Sequence, residues 1–212
     1  MTDAALTHIY FLLDRSGSMQ SIKSDTEGGF AAFVEEQRKT SGRCRVTLAQ
    51  FDTTYDVVYQ DRDLAEVPPL DLQPRGMTAL LDAIGRLVTD AGRRLAALPE
   101  EQRPGTVVVA IMTDGMENSS HEWTHPAVKS LIEQQEQGYN WQFLYMGADQ
   151  DAIEVGNSIG IAAQNSLTYS RGNVDHAMAA AASMVGDLRR ARAASPAAKL
   201  RGYSDEEREA SR

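Results

Sequence analysis

The chain has 212 residues, enough for one domain with a substantial core, and its 42% hydrophobic and 24% charged residues are those of an ordinary globular protein. A formal net charge of −9 argues against neutralising nucleic-acid phosphates or docking on anionic lipid, since both need a basic face. A lone cysteine, Cys44, permits no intramolecular disulfide, and the start "MTDAALTHIYFLLD" has neither a signal peptide's basic end nor a run able to span a bilayer, so a cytoplasmic protein is expected.

The first element is "THIYFLLD" (7–14), nearly continuous in apolar residues, as a strand covered on both faces requires. Phe30, Phe33, Val34 and Gln37 then recur at helical spacing within 24–42, with Gly42 as a stop. The runs "CRVTLAQF" and "TYDVVYQ" are parted only by Asp52 and Thr53, which predicts a tight hairpin. A Pro- and Asp-rich loop (61–77) leads to a long amphipathic stretch marked by Leu80, Leu81, Ile84, Leu87, Val88, Ala91 and Leu95, with Gly85 and Gly92 as possible interruptions. "TVVVAIMTDG" (106–115) is a buried strand ending in a polar turn. Val128, Leu131, Ile132 and Gln135 mark a helix, "WQFLYMGA" (141–148) a strand and 149–159 a shorter helix capped by Asp149 or Asp151. A weak strand near 165–169 precedes an Ala-rich helix at 173–194. The charged, apolar-poor remainder, 196–212, reads as a tail or loosely docked helix outside a domain of 1–195.

This alternation predicts an α/β fold: a doubly wound, mostly parallel six-stranded sheet with helices on both faces, ordered 3-2-1-4-5-6, with strand three antiparallel at the edge. The order reverses between strands one and four. Ligands of open α/β sheets bind beyond the carboxyl ends of the strands at such a point. Asp14, Ser16 and Ser18 end strand one, Asp114 ends strand four, and the long loop brings Thr78 to the same rim. All five donors are oxygens, the set that hard cations such as Mg2+, Mn2+ or Ca2+ choose and zinc does not.

The pattern Asp-x-Ser-x-Ser, then Thr, then Asp, each at a strand end or helix start, resembles the metal-ion-dependent adhesion site of von Willebrand factor A domains. "TALLDAIG" and "TDGMEN" are similar to stand-alone bacterial members. The resemblance covers roughly residues 5–194 and implies a Rossmann-like fold with Asp14, Ser16, Ser18, Thr78 and Asp114 as metal ligands. It implies that the serines ligate directly while the aspartates act largely through water. The cation is then left with an open position for a partner's Asp or Glu carboxylate. An AAA+ ATPase or stress-response component is the class of protein partner it suggests, and 173–194 the element that would switch. An interaction module without enzymatic activity follows; a Mg2+-dependent phosphohydrolase using the same acidic rim is the competing class.

"HEWTH" (121–125) matches the H-E-x-x-H signature of zinc proteases, which needs both histidines on one helix. Pro126 pushes His125 out of helical geometry and suits the first turn of the following helix instead, and no third ligand follows. The match is read as accidental. Glu117 and His121 are placed on the rim of the metal site, and Trp123 is either a partner-contacting anchor or a staple packed against the following helix. No P-loop and no G-x-S-x-G elbow is present, and Ser16 stands where a haloacid-dehalogenase-type phosphatase needs a second Asp.

Overall fold

The structure, a computed structural model, describes residues 2–212. At its centre is β1 (Asp3–Asp14), buried without interruption from Leu6 to Asp14 because parallel neighbours flank it on both sides. These are β2 (Arg43–Phe51) and β4 (Pro104–Thr113). The strand begins four residues earlier than its apolar run, through a bulge between Asp3 and Thr7 that brings Asp3 opposite Pro104. After a tight turn β3 (Tyr55–Asp63) pairs antiparallel with β2, while β5 (Gln142–Ala148) and β6 (Ser166–Tyr169) extend the other side. The six-stranded order is β3-β2-β1-β4-β5-β6, as the alternation predicted.

Alternate residues of β1 feed two cores. Ile9, Phe11 and Leu13 face α1 (Lys23–Arg38) and α5 (Val174–Ala194), with Phe11 edge-on to Phe30 and Phe33 at 5.2 and 5.4 Å between ring centroids. Tyr10 and Leu12 face α2 (Leu80–Ala97) and α3 (His125–Tyr139), with α4 (Ala152–Ser158) beside them. Burying each large aromatic or aliphatic side chain contributes about 1.5–3 kcal/mol, so the period-two alternation of β1 drives both layers onto the sheet. Gly85 and Gly92 do not break α2.

The segment 196–212, expected to be a tail or a loosely docked helix, packs against the domain and ends in a short helix. Leu200 and Tyr203 are 3% and 6% exposed and join the α5 core, and α6 (Asp205–Ala210) closes the chain with a full capping box from Ser204 and Glu207. Arg208 donates to the carbonyls of Ala163, Gln164 and Ser166 around β6. Apolar side chains and two arginines, Arg208 and the Arg201 that bonds Asp187 of α5 at 2.8 Å, anchor a stretch whose composition looks unstructured. No helix among the described residues is long and apolar enough to cross a membrane.

Candidate metal centre

Asp14 is wholly buried at the end of β1. Its Oδ1 accepts the Ser16 N–H at 2.6 Å and its Oδ2 the Thr113 hydroxyl at 2.5 Å. The tight turn after it sets Ser16 Oγ and Ser18 Oγ 3.1 Å apart, and Ser18 Oγ donates to Asp114 Oδ1 at 2.6 Å. Gly115 marks where the third segment arrives. A Cβ there would stand 2.9 Å from Thr78 Oγ1, 3.6 Å from Ser18 Oγ and 3.8 Å from Asp14 Oδ2. Oxygens from three distant segments thus surround one small space, and all five residues picked out in the sequence are brought together.

Two buried carboxylates set the electrostatics of this cradle. Burial pushes the Asp14 carboxyl up to about 6, with the neighbouring Asp114 adding to it, against hydrogen bonds from Thr113 and Ser16. Asp114 is raised too, chiefly by burial and further by Asp149, although Ser18 and Arg171 oppose the shift. Asp114 Oδ2 is buried and accepts no hydrogen bond; its nearest positive charge is the Arg171 guanidinium at 3.4 Å, which also reaches Asp149 at 3.5 Å. An orphaned carboxylate oxygen, two facing carboxylates and three hydroxyls fit a divalent ion. No cluster of three His, Cys, Asp or Glu occurs among the described residues, because most of the donors here are hydroxyls.

What holds the loop of Thr78 in place was not legible beforehand. Asp52, treated above only as a turn residue, is 2% exposed and receives Arg15 Nε at 2.8 Å and Arg75 Nε at 2.9 Å. Burial pushes its carboxyl up, but bonds from Arg75, Thr54 and Arg15 win and hold it at about 2. The Arg75 N–H donates to the Arg15 carbonyl at 2.8 Å, Gly17 N–H to Gly76 at 3.2 Å, and Ala79 N–H to Asp52 at 2.9 Å. Gly76 lies at φ +69°, where a side chain would meet Thr53 Oγ1 at 2.9 Å. Asn118 completes the frame: its Oδ1 accepts the Thr78 N–H at 2.9 Å while its own N–H donates to Thr78 O at 3.0 Å. The available signal was an arginine beside each motif segment, Arg15 and Arg75, with an acid between them in sequence.

The rim residues fare unequally. Glu117 spends its carboxylate inward, accepting the N–H groups of Leu81, Ser119 and Ser120 and the Ser120 hydroxyl at 2.8–2.9 Å, so it caps α2 rather than facing a partner. Trp123 packs inward, but on the preceding helix rather than the following one: its ring lies on Gly85 of α2, where a Cβ would fall 2.2 Å from two ring carbons. Only His121 is exposed. Asp82, another residue passed over in the sequence, accepts the N–H groups of His121, Glu122 and Trp123 at 2.8–2.9 Å. Burial works against its charge, yet these three bonds hold its carboxyl below the usual range. His121–Thr124 is therefore an irregular loop; α3 starts at His125, capped by Thr124, so His125 is helical after all, because a first-turn position tolerates the following proline, but His121 is not and the two histidines share no helix.

The fold, with this sheet order, agrees with known structures. Over 87% of its length the chain superposes on 47% of proximal thread matrix protein 1 from the mussel byssus, at a TM-score of 0.61 and 18% identity. The chain has the von Willebrand factor A fold. A von Willebrand factor type A protein from Catenulispora acidiphila matches 84% of this chain over 42% of its own, with a TM-score of 0.54 and 15% identity. The von Willebrand factor domain of a type V pilus tip protein from Porphyromonas gingivalis matches 85% of it over 95% of its own, with a TM-score of 0.59 and 13% identity. The chain spans less than half the length of the mussel protein. No protein-family model and no curated protein matches the sequence. The mussel structure is described as having a zinc-occupied MIDAS motif.

Proposed function

We propose that this von Willebrand factor A domain is a metal-dependent protein-interaction module, without turnover of its own, that takes an Asp or Glu carboxylate of a partner protein. The observation that carries this reading is the cradle at Gly115, where Thr78, Ser18 and Asp14 oxygens gather within 4 Å of one point. Asp14, Ser16, Ser18, Thr78 and Asp114 would hold the ion, with Mg2+ favoured over Mn2+ or Ca2+ as the abundant hard cation. When bound, the ion supplies a positive charge with room for an anionic oxygen. The protein's own part is to hold the hydroxyls in place through Asp52 and Asn118 and to keep the aspartates dry, which strengthens charge pairing once a partner excludes water.

Ser18 and Gly17 are exposed while Asp14, Ser16, Thr78 and Asp114 are buried, so access is from the Ser18 side. The net charge of −9 opposes an acidic partner at long range, but screening over ~8 Å at physiological salt limits this to the encounter, leaving contact to the local ion. A cytoplasmic partner of the AAA+ ATPase or stress-response class fits the stand-alone bacterial resemblance, and Cys44 is free and buried, as suits a reducing compartment. Affinity capture from cell extract tests the reading. Wild type with Mg2+ should retain a protein that is lost with chelator and with the Ser16→Ala plus Ser18→Ala double variant. Identical capture in all three conditions, or Mg2+-dependent hydrolysis of generic phosphoesters abolished by Asp14→Ala, would overturn it.

A further inference from the structure

At the opposite end of the sheet from the metal donors lies a cavity of about 600 Å³, within the range of small-molecule sites. It is bounded by the first residues of β1 and β2, the end of β3 and the C-terminal end of α2. Three arginines line it. Arg43 is paired with Asp3, and Arg45 with Asp61 at 2.7 Å. Among the described residues Arg94 forms no hydrogen bond or ion pair, although its charge reaches His8 and Tyr10.

Tyr10 is the second, independent observation. It is 1% exposed, lines this cavity, and has a buried hydroxyl with no hydrogen-bond partner. The hydroxyls of Tyr59, Tyr145 and Tyr203 share this condition, but of the four only Tyr10 lines this cavity, where a ligand could compensate its lost hydration. His8 stacks on the Tyr10 ring at 4.1 Å between centroids, and its Nε2 lies 2.9 Å from Thr47 Oγ1. Burial, aided by the charges of Arg94 and Arg45, holds His8 neutral with a pKa of about 3, so it adds no positive charge. The uncommitted donors are then the Arg94 guanidinium, the Tyr10 hydroxyl and the Gln102 side-chain amide, beside the apolar surfaces of Leu6, Leu95 and Leu98. Glu101 at the same wall would repel a second negative charge.

We infer that this cavity binds a small organic carboxylate. Its negative oxygens would rest on Arg94 and accept the Tyr10 hydroxyl, and its apolar body would lie on the leucines. A planar guanidinium fork suits a carboxylate, and the single free arginine suits a monoanion. The site is independent of the metal and of the function proposed above.

An NMR titration of the full chain with sodium benzoate, and separately with sodium hexanoate, tests this without added divalent cation. Saturable shifts are expected at the Arg94 Nε–H and at the amides of residues 6–10, with dissociation constants in the millimolar range or below. Neutral benzyl alcohol should bind at least tenfold more weakly than benzoate, as the loss of a charge-assisted hydrogen bond implies. Arg94→Gln, at an exposed helix position, should weaken benzoate by a similar factor. Tyr10→Phe should weaken it severalfold while leaving the unliganded protein at least as heat-stable. The inference fails if neither carboxylate saturates, if benzyl alcohol matches benzoate, if Arg94→Gln leaves affinity unchanged, or if Tyr10→Phe lowers the melting temperature of the unliganded protein.

Discussion

Gly115 is the most economical position at which to test the metal centre, because its backbone is outside the left-handed region and alanine there brings no conformational strain of its own. The added Cβ would stand 2.9 Å from Thr78 Oγ1 and under 4 Å from Ser18 Oγ and Asp14 Oδ2. The first contact is several tenths of an ångström too close, so Thr78 must yield, at the ~1–3 kcal/mol usual for overpacking a filled space. The same methyl intrudes on the space that the oxygens enclose. For the parent protein, metal at a hundred times its dissociation constant adds about 2.7 kcal/mol. At roughly 2–4 °C per kcal/mol for a chain of this size, the melting temperature should rise by about 5–11 °C. Gly115→Ala should unfold a few degrees lower without metal and lose most of that rise. Calorimetric melting with Mg2+, Mn2+ and Zn2+ measures both effects. A variant that retains the full metal-induced rise refutes the reasoning, since the ion would then not sit among these oxygens.

Three further outcomes follow from the same structure. Asp14 has a folded pKa raised from 3.8 to about 6, so in the metal-free protein its contribution is present below pH ~4 and is lost as pH rises to about 6. The loss amounts to at most about 3 kcal/mol, and Asp14→Asn or saturating Mg2+ should flatten the curve; urea titrations at several pH values that show stability rising over this window contradict it. Deleting 196–212 removes buried Leu200 and Tyr203 and exposes the α5 surface beneath them, so stability should fall by at least about 3 kcal/mol. A truncated chain with an unchanged denaturation midpoint and slope would show that the segment docks without stabilising. Gly85→Ala drives a methyl into the Trp123 ring and should displace it, at about 1–3 kcal/mol, with a red-shifted tryptophan emission; an unshifted spectrum means that the ring does not rest on Gly85.

Local pattern and strand-end chemistry were enough to place most of this protein. An unbroken apolar run at β1, alternating helices and a hairpin turn too short for anything else dictate a doubly wound sheet and its order. The reversal of that order in turn dictates where Asp14, Ser16, Ser18, Thr78 and Asp114 must meet. These features are readable because they depend on neighbours a few residues away or on topology. The tertiary structure alone decided how polar side chains are spent. Nothing local distinguishes Glu117 capping α2 from Glu117 on an open rim, or Trp123 on Gly85 from Trp123 in solvent, since both outcomes hinge on a helix more than thirty residues away. Asp52 looked like a turn residue until Arg15 and Arg75 converged on it, and 196–212 could be a tail or a loosely docked helix until Leu200 and Tyr203 found the α5 core. Composition records what a segment can hydrate, whereas burial depends on which surface happens to lie opposite it in the folded chain.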